Sequence, residues 1–106
     1  MAKLGTITFT GVSGIRYTFE IFAWGQAFNP IGAVYFITKC DGQGNHTSIY
    51  VGQTRDLSER FDNHHKASCF QRHGANRICV LVEGQEKRRL EIETDLIRSY
   101  HPPCNG

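Results

Sequence analysis

The chain has 106 residues, enough for one domain with a single core but not for two. A net charge of +2, with 40% hydrophobic and 21% charged residues, is ordinary for a soluble globular protein and too small to argue for nucleic acid by itself. No apolar run is long enough to span a membrane and Met1–Lys3 begins no signal-peptide pattern, so a cytoplasmic protein with no membrane partner is the expectation.

In chain order, Thr6–Thr10 and Tyr17–Phe22 are rich in Thr, Ile, Phe and Tyr, and the turn residues Gly11-Val-Ser-Gly14 separate them. They read as a β-hairpin. Trp24–Ile31, broken by Gly25 and Pro30, reads as a loop. Ala33–Thr38 and Ser48–Gly52 read as two further strands joined across Asp41-Gly-Gln-Gly-Asn45. Asp56 as N-cap with Glu59 at N3 resembles a capping box and predicts a helix running through Arg60, Phe61 and His64. Lys66–Ala75 is less regular. A strand at Arg77–Val82 then precedes a helix from Gln85 to about Tyr100, which has no internal Gly or Pro and ends before Pro102–Pro103. The order β-β-β-β-α-β-α predicts an α+β sandwich of antiparallel sheet and helices.

Both helices carry a polar residue where apolar packing is expected. In the last one, Leu90, Ile92, Leu96, Ile97 and Tyr100 share an arc with Glu93 near its centre, while Glu91, Asp95 and Arg98 point away. A carboxylate desolvated there needs a metal ion, a buried cation or a raised pKa. The bland alternative is a glutamate at the edge of a narrower stripe, paired with Arg89 one turn earlier. In the first helix, Leu57, Phe61 and His64 share a face bordered by Arg60, which implies either a polar pocket or an arginine reaching water along an apolar stem.

Cys40, Cys69, Cys79 and Cys104 contain no Cys-x-x-Cys pair, so free thiols are expected. The spacing His65-x-x-x-Cys69-x-x-x-His73 permits a zinc reading but supplies only three ligands, and no structural zinc is expected.

The ordered set Gly32-Ala-Val-Tyr35, Ile49-Tyr-Val-Gly52, Arg60, His64, Glu93 and the terminal Pro-Pro-Cys-Asn105 resembles the GIY-YIG nuclease family, over Gly32 to Asn105. The resemblance implies a core over residues 31–106, a central antiparallel sheet flanked by helices, with residues 1–30 as an N-terminal hairpin extension. Tyr35 and Tyr50 match the two motif tyrosines. Arg60 matches the arginine that contacts the scissile phosphate, and His64 the histidine one turn later. Glu93 matches the ligand of a single divalent metal, Mg²⁺ or Mn²⁺, Asn105 the asparagine that closes the site, and Gly52 the glycine where the strand passes close to substrate. The resemblance implies a tyrosine as general base, Tyr35 as the best candidate, with Tyr50 either orienting the water or packing against Tyr35, although an ordinary tyrosine pKa near 10 is too high for that task. Two departures stand out: Ala33 or Gly32 occupies the first motif glycine, and Gln53 follows Gly52 where some members carry a lysine.

The implied function is metal-dependent endonucleolytic hydrolysis of DNA in repair, restriction or mobile-element biology. A catalytically weak or inactive nucleic-acid-binding module with the same fold is the alternative. Arg55, Lys66, Arg72, His73, Arg77 and Lys87-Arg88-Arg89 are candidates for phosphate contacts without sequence readout. Site specificity would then come from the N-terminal hairpin, the Lys66–Arg77 segment, a homodimer or a protein partner.

Overall fold

The computed structural model describes residues 3–61 and 64–106. Five strands, β1 (Gly5–Thr10), β2 (Arg16–Ala23), β3 (Ala33–Cys40), β4 (His46–Thr54) and β5 (Arg77–Val82), form one sheet in the order β1-β2-β5-β3-β4. Every neighbouring pair is antiparallel. Two α-helices accompany them, α1 (Ala67–Arg72) and α2 (Glu86–Tyr100), with one-turn 3₁₀ helices at Leu57–Glu59 and Pro103–Asn105. The α+β class read from the sequence is the class of the fold.

Position in the sheet explains the burial. β3 lies between β5 and β4, and its first six residues, Ala33 to Thr38, are all buried, as expected for a strand covered on both faces. One face packs Tyr35 and Ile37 with Phe22, Ile78, Val80, Leu57 and Phe70. The other packs Val34, Phe36 and Val51 with Phe9, Tyr17 and Phe19 of the hairpin and with Ile92 and Leu96 of α2. The N-terminal hairpin therefore extends the sheet through β2–β5 pairing and supplies much of the core beneath α2. Phe9 stacks on Phe36 with centroids 4.0 Å apart and meets Tyr100 edge-on.

A register shift between Ile37 and Thr38 leaves Ile49 as an extra residue of β4. Adjacent strand residues normally face opposite sides, but across this bulge Ile49 and Tyr50 join the same cluster. The hairpin loop ahead of them is held by the Asp41 carboxylate, which accepts from the amides of Gln43 and Asn45, while Gly44 turns with a positive φ of 84°.

Two expected segments exchange character. The helix expected from Asp56 to His64 is a single 3₁₀ turn; Asp62 and Asn63 lie outside the described residues, and His64 lies outside any helix. Asp56 does cap that turn, accepting from the Ser58 amide, but its own amide is taken by the Thr54 hydroxyl rather than by Glu59. Regular helix forms instead at Ala67–Arg72, inside the stretch read as irregular, because Phe70 is buried against the sheet.

The cysteine expectation also fails. Cys69 and Cys104, separated by 35 positions, are joined by a disulfide, and only Cys40 and Cys79 are free. The chain fold brings α1 beside the terminal turn, a proximity that spacing could not reveal.

Candidate active site at the β4 edge

Tyr35 is fully buried, and its phenol lies over Gly52, its cross-strand partner. A Cβ on Gly52 would run into the Tyr35 ring and hydroxyl and approach Tyr50 Cε2 to 2.8 Å. The glycine is thus required by the tyrosine above it, and the space expected to admit substrate at Gly52 is filled by that phenol.

Two groups converge on the Tyr35 oxygen. Arg60 Nε donates to it at 2.9 Å, and His64 Nε2 lies 2.7 Å away. The Lys66 amide donates to His64 Nδ1 at 3.0 Å, which makes Nδ1 the acceptor nitrogen. A neutral imidazole then carries its proton on Nε2 and donates it to Tyr35. Burial, then the positive charge of Arg60, pulls the His64 pKa down to about 4, so the ring is neutral near pH 7. The Tyr35 oxygen accordingly accepts from two N–H donors. Burial pushes its pKa above the ordinary value, and the Arg60 hydrogen bond works against that rise.

Tyr50 packs in the same cluster, its ring centroid 6.0 Å from Tyr35, 5.3 Å from His64 and 5.3 Å from Phe70. Its pKa is raised by burial, opposed by Arg60 and reinforced by the negative charge of Glu93. Phe61 closes the other side of Tyr35 at 5.0 Å and links it to Phe28 of the loop after β2.

Glu93 approaches from α2. It is half-buried and takes part in no ion pair or side-chain hydrogen bond among the described residues. Burial raises its pKa, with Arg60 the opposing charge. The Arg89 pairing considered above does not form. Arg89 is itself buried, donating through Nε to Gln53 and through one terminal nitrogen to the carbonyls of Glu83 and Gly84. It therefore leaves the candidate phosphate-contact set. Gln53 is turned onto the α2 side by this contact. Of the other basic candidates, Arg88 pairs with Glu91, Arg77 donates to the Asn76 carbonyl, and Arg55, Arg72 and His73 are exposed.

The helix face also differs from the expected arc. Arg89, Ile92 and Leu96 are its buried positions, Leu90 is 43% exposed, and Glu93 borders the stripe. Asp95, expected to point away, accepts from the Ser13 amide, the Ser13 hydroxyl and the Tyr17 hydroxyl at 2.9, 2.6 and 2.7 Å.

Asn105 binds the outer edge of the sheet. Among the described residues no strand lies beyond β4, and the Asn105 side chain fills that role by accepting from the Val51 amide and donating to the Val51 carbonyl, both at 2.9 Å. It covers the edge between Tyr50 and Gly52. His101, with φ 47°, and the two prolines after it turn the chain back from α2 to deliver this residue.

Tyr35, Arg60 and His64 thus form one hydrogen-bonded group, Tyr50 packs on it, and Glu93 brings an unpaired carboxylate to its border. Asn105 and Gly52 shape the strand beneath. The residues fit a hard divalent cation: a single half-buried carboxylate suits an ion that keeps water and takes oxygen ligands from substrate. An open groove of about 690 Å³ between the hairpin turn and α2, lined by Val12, Ile15 and Leu90, includes none of these residues. Sequence reasoning placed Phe61 on the face of His64 but missed Phe70 and the bond from Lys66 to His64.

A family model, the GIY-YIG catalytic domain, matches residues 31–105. No curated protein and no solved structure matches the chain.

Proposed function

The chain belongs to the GIY-YIG family, whose domains are nuclease-type, and from that premise we propose that it is a divalent-metal-dependent endonuclease hydrolysing DNA phosphodiester bonds at one site. The observation that carries the reading is the half-buried Glu93, without a side-chain partner among the described residues, beside the Tyr35–Arg60–His64 group. A purely structural carboxylate at that depth would be hydrogen-bonded or ion-paired.

Each residue has a chemical task. Arg60 donates Nε to Tyr35 and would turn its guanidinium toward the phosphate oxygens of an anionic diester. Tyr35, as the phenolate left when its own proton passes to bulk water, orients the attacking water and accepts its proton. Burial holds the free phenol neutral, so this step depends on the two N–H donors that stabilise a phenolate oxygen. His64 is a donor that fixes Tyr35, since its accepting nitrogen is committed to the Lys66 amide. Tyr50 packs against Tyr35 and His64 and keeps their rings in place. Glu93 would hold Mg²⁺ or Mn²⁺, which supplies charge neutralisation at the phosphate and at the leaving oxygen when bound. Arg55, Lys66 and Arg72 supply sequence-independent backbone contacts.

Supercoiled plasmid and branched or flapped oligonucleotides, incubated with Mg²⁺, Mn²⁺ or EDTA, test the reading beside Glu93→Gln and Arg60→Ala. Metal-dependent nicking absent from both variants is the expected result. DNA binding without cleavage under any condition would instead favour an inactive scaffold, and cleavage surviving in Glu93→Gln would overturn the metal assignment.

A further inference from the structure

A second cluster of metal-binding side chains lies away from Glu93. The sulfurs of Cys69 and Cys104 and an imidazole nitrogen of His73 all lie within 4.8 Å of one another. Cys69 and His73 are one helical turn apart, the first inside α1 and the second its C-cap. Cys104 comes from the terminal 3₁₀ turn. The third partner of the Cys69/His73 pair is therefore Cys104, and His65 takes no part.

We propose that Cys69, His73 and Cys104 form a soft divalent-metal site of the zinc class, open when the Cys69–Cys104 disulfide is reduced. Tetrahedral zinc with bonds of about 2.3 Å to sulfur and about 2.0 Å to nitrogen needs ligand atoms roughly 3.5–4 Å apart, so the two bonded sulfurs must part on reduction while the His73 nitrogen already lies within 4.8 Å of both. Thiolate and imidazole select zinc-like ions over Mg²⁺, so this site and Glu93 do not compete for one metal. His73 is exposed and its side chain makes no hydrogen bond among the described residues, leaving a donor and an entry path. With three protein ligands, the fourth position belongs to water.

The site has a consequence for β4. Phe70, next to Cys69, packs on Tyr50 and His64, and the Ala67 amide at the start of α1 donates to the His64 carbonyl at 3.0 Å. Asn105, next to Cys104, clamps Val51. The disulfide ties these two supports together, and a metal bridging the same sulfurs keeps the tie after reduction. In the exchange, a trialkylphosphine and water convert the disulfide to two thiols and leave the phosphine oxide. Zn²⁺ then displaces both thiol protons as two Zn–S bonds and one Zn–N bond form.

The full chain, reduced with such a phosphine without oxygen, would be titrated with Co²⁺ as the spectroscopic probe and then with Zn²⁺. One equivalent of Co²⁺ giving thiolate-to-metal charge-transfer absorption is expected, displaced by one equivalent of Zn²⁺ and unaffected by excess Mg²⁺. The oxidised chain should bind none. His73→Ala should weaken Co²⁺ binding at least about tenfold, while His65→Ala and Cys40→Ser leave it unchanged, with far-UV circular dichroism verifying each fold. If reduction unfolds the metal-free chain, refolding on Zn²⁺ addition supports the site. A reduced protein without the charge-transfer band, a chain that stays unfolded with Zn²⁺, or His73→Ala binding as tightly as wild type would overturn it.

Discussion

Two acids two positions apart on α2 show how different regions of one helix are used. Asp95, where the helix meets the N-terminal hairpin turn, accepts three hydrogen bonds, and those from Ser13 and Tyr17 hold its pKa below the ordinary value. Glu93, where the helix meets the β4 edge, has no such partner among the described residues, and burial raises its pKa. The first region is satisfied and fixes the hairpin to the helix. The second keeps a charge in reserve. A carboxylate whose acceptors are already filled has little left for a ligand, whereas one left unpaired costs stability and is available for a cation.

The largest test of this contrast is Glu93→Gln. We expect nicking to fall by about 10³-fold or more, while the metal-free protein gains about 1 kcal/mol in thermal unfolding at neutral pH. The sign follows from linkage: a raised carboxylate pKa favours the protonated form, so its ionisation destabilises the fold as pH rises through the folded value. A loss of stability in that variant would mean that Glu93 is structurally paired. Tyr35→Phe should reduce cleavage about 10²-fold. It should also lower stability by about 2 kcal/mol, because Arg60 Nε and His64 Nε2 lose their common acceptor; unchanged urea unfolding would show that these bonds do not form.

The other region should respond oppositely. Asp95→Ala should cost about 1–2 kcal/mol in urea unfolding and leave the nicking rate within about twofold. A large activity loss would show that the hairpin contact is coupled to the site. The remaining test is a pH slope. His64 has a folded pKa of about 4 against an ordinary 6.5, so its contribution is complete above pH 6.5 and is lost as the pH falls from there toward about 4. His64→Gln should flatten that part of the stability–pH curve, and an unaltered curve would show that His64 is not the group titrating.

Much of this was legible beforehand because periodicity and breakers are local signals. β5 falls where its apolar run placed it, at Arg77–Val82, and α2 ends at Tyr100 ahead of the two prolines. The family motif named Tyr35, Tyr50, Arg60, His64 and Glu93, and the fold brings them to one edge. The failures were non-local. The helix expected from Asp56 shortened to one turn, its cap amide held by Thr54, while Phe70 drew the next segment into helix against the sheet. Arg89 resembled a surface charge in a basic run, yet lies 3% exposed because Gln53 and two carbonyls surround it.

The sequence by itself determined the strands, the long helix, the α+β class and the polar residues out of place on apolar faces. Those properties depend on neighbours a few positions apart, through side-chain period, turn chemistry and missing amide donors. Only the tertiary structure decided that the hairpin joins β5, that Asn105 supplies the missing partner of an edge strand, and that Cys69 meets Cys104. It also decided which of two nearby acids is satisfied. Such facts depend on which surfaces close over one another, and closure is set by the packing of the whole chain.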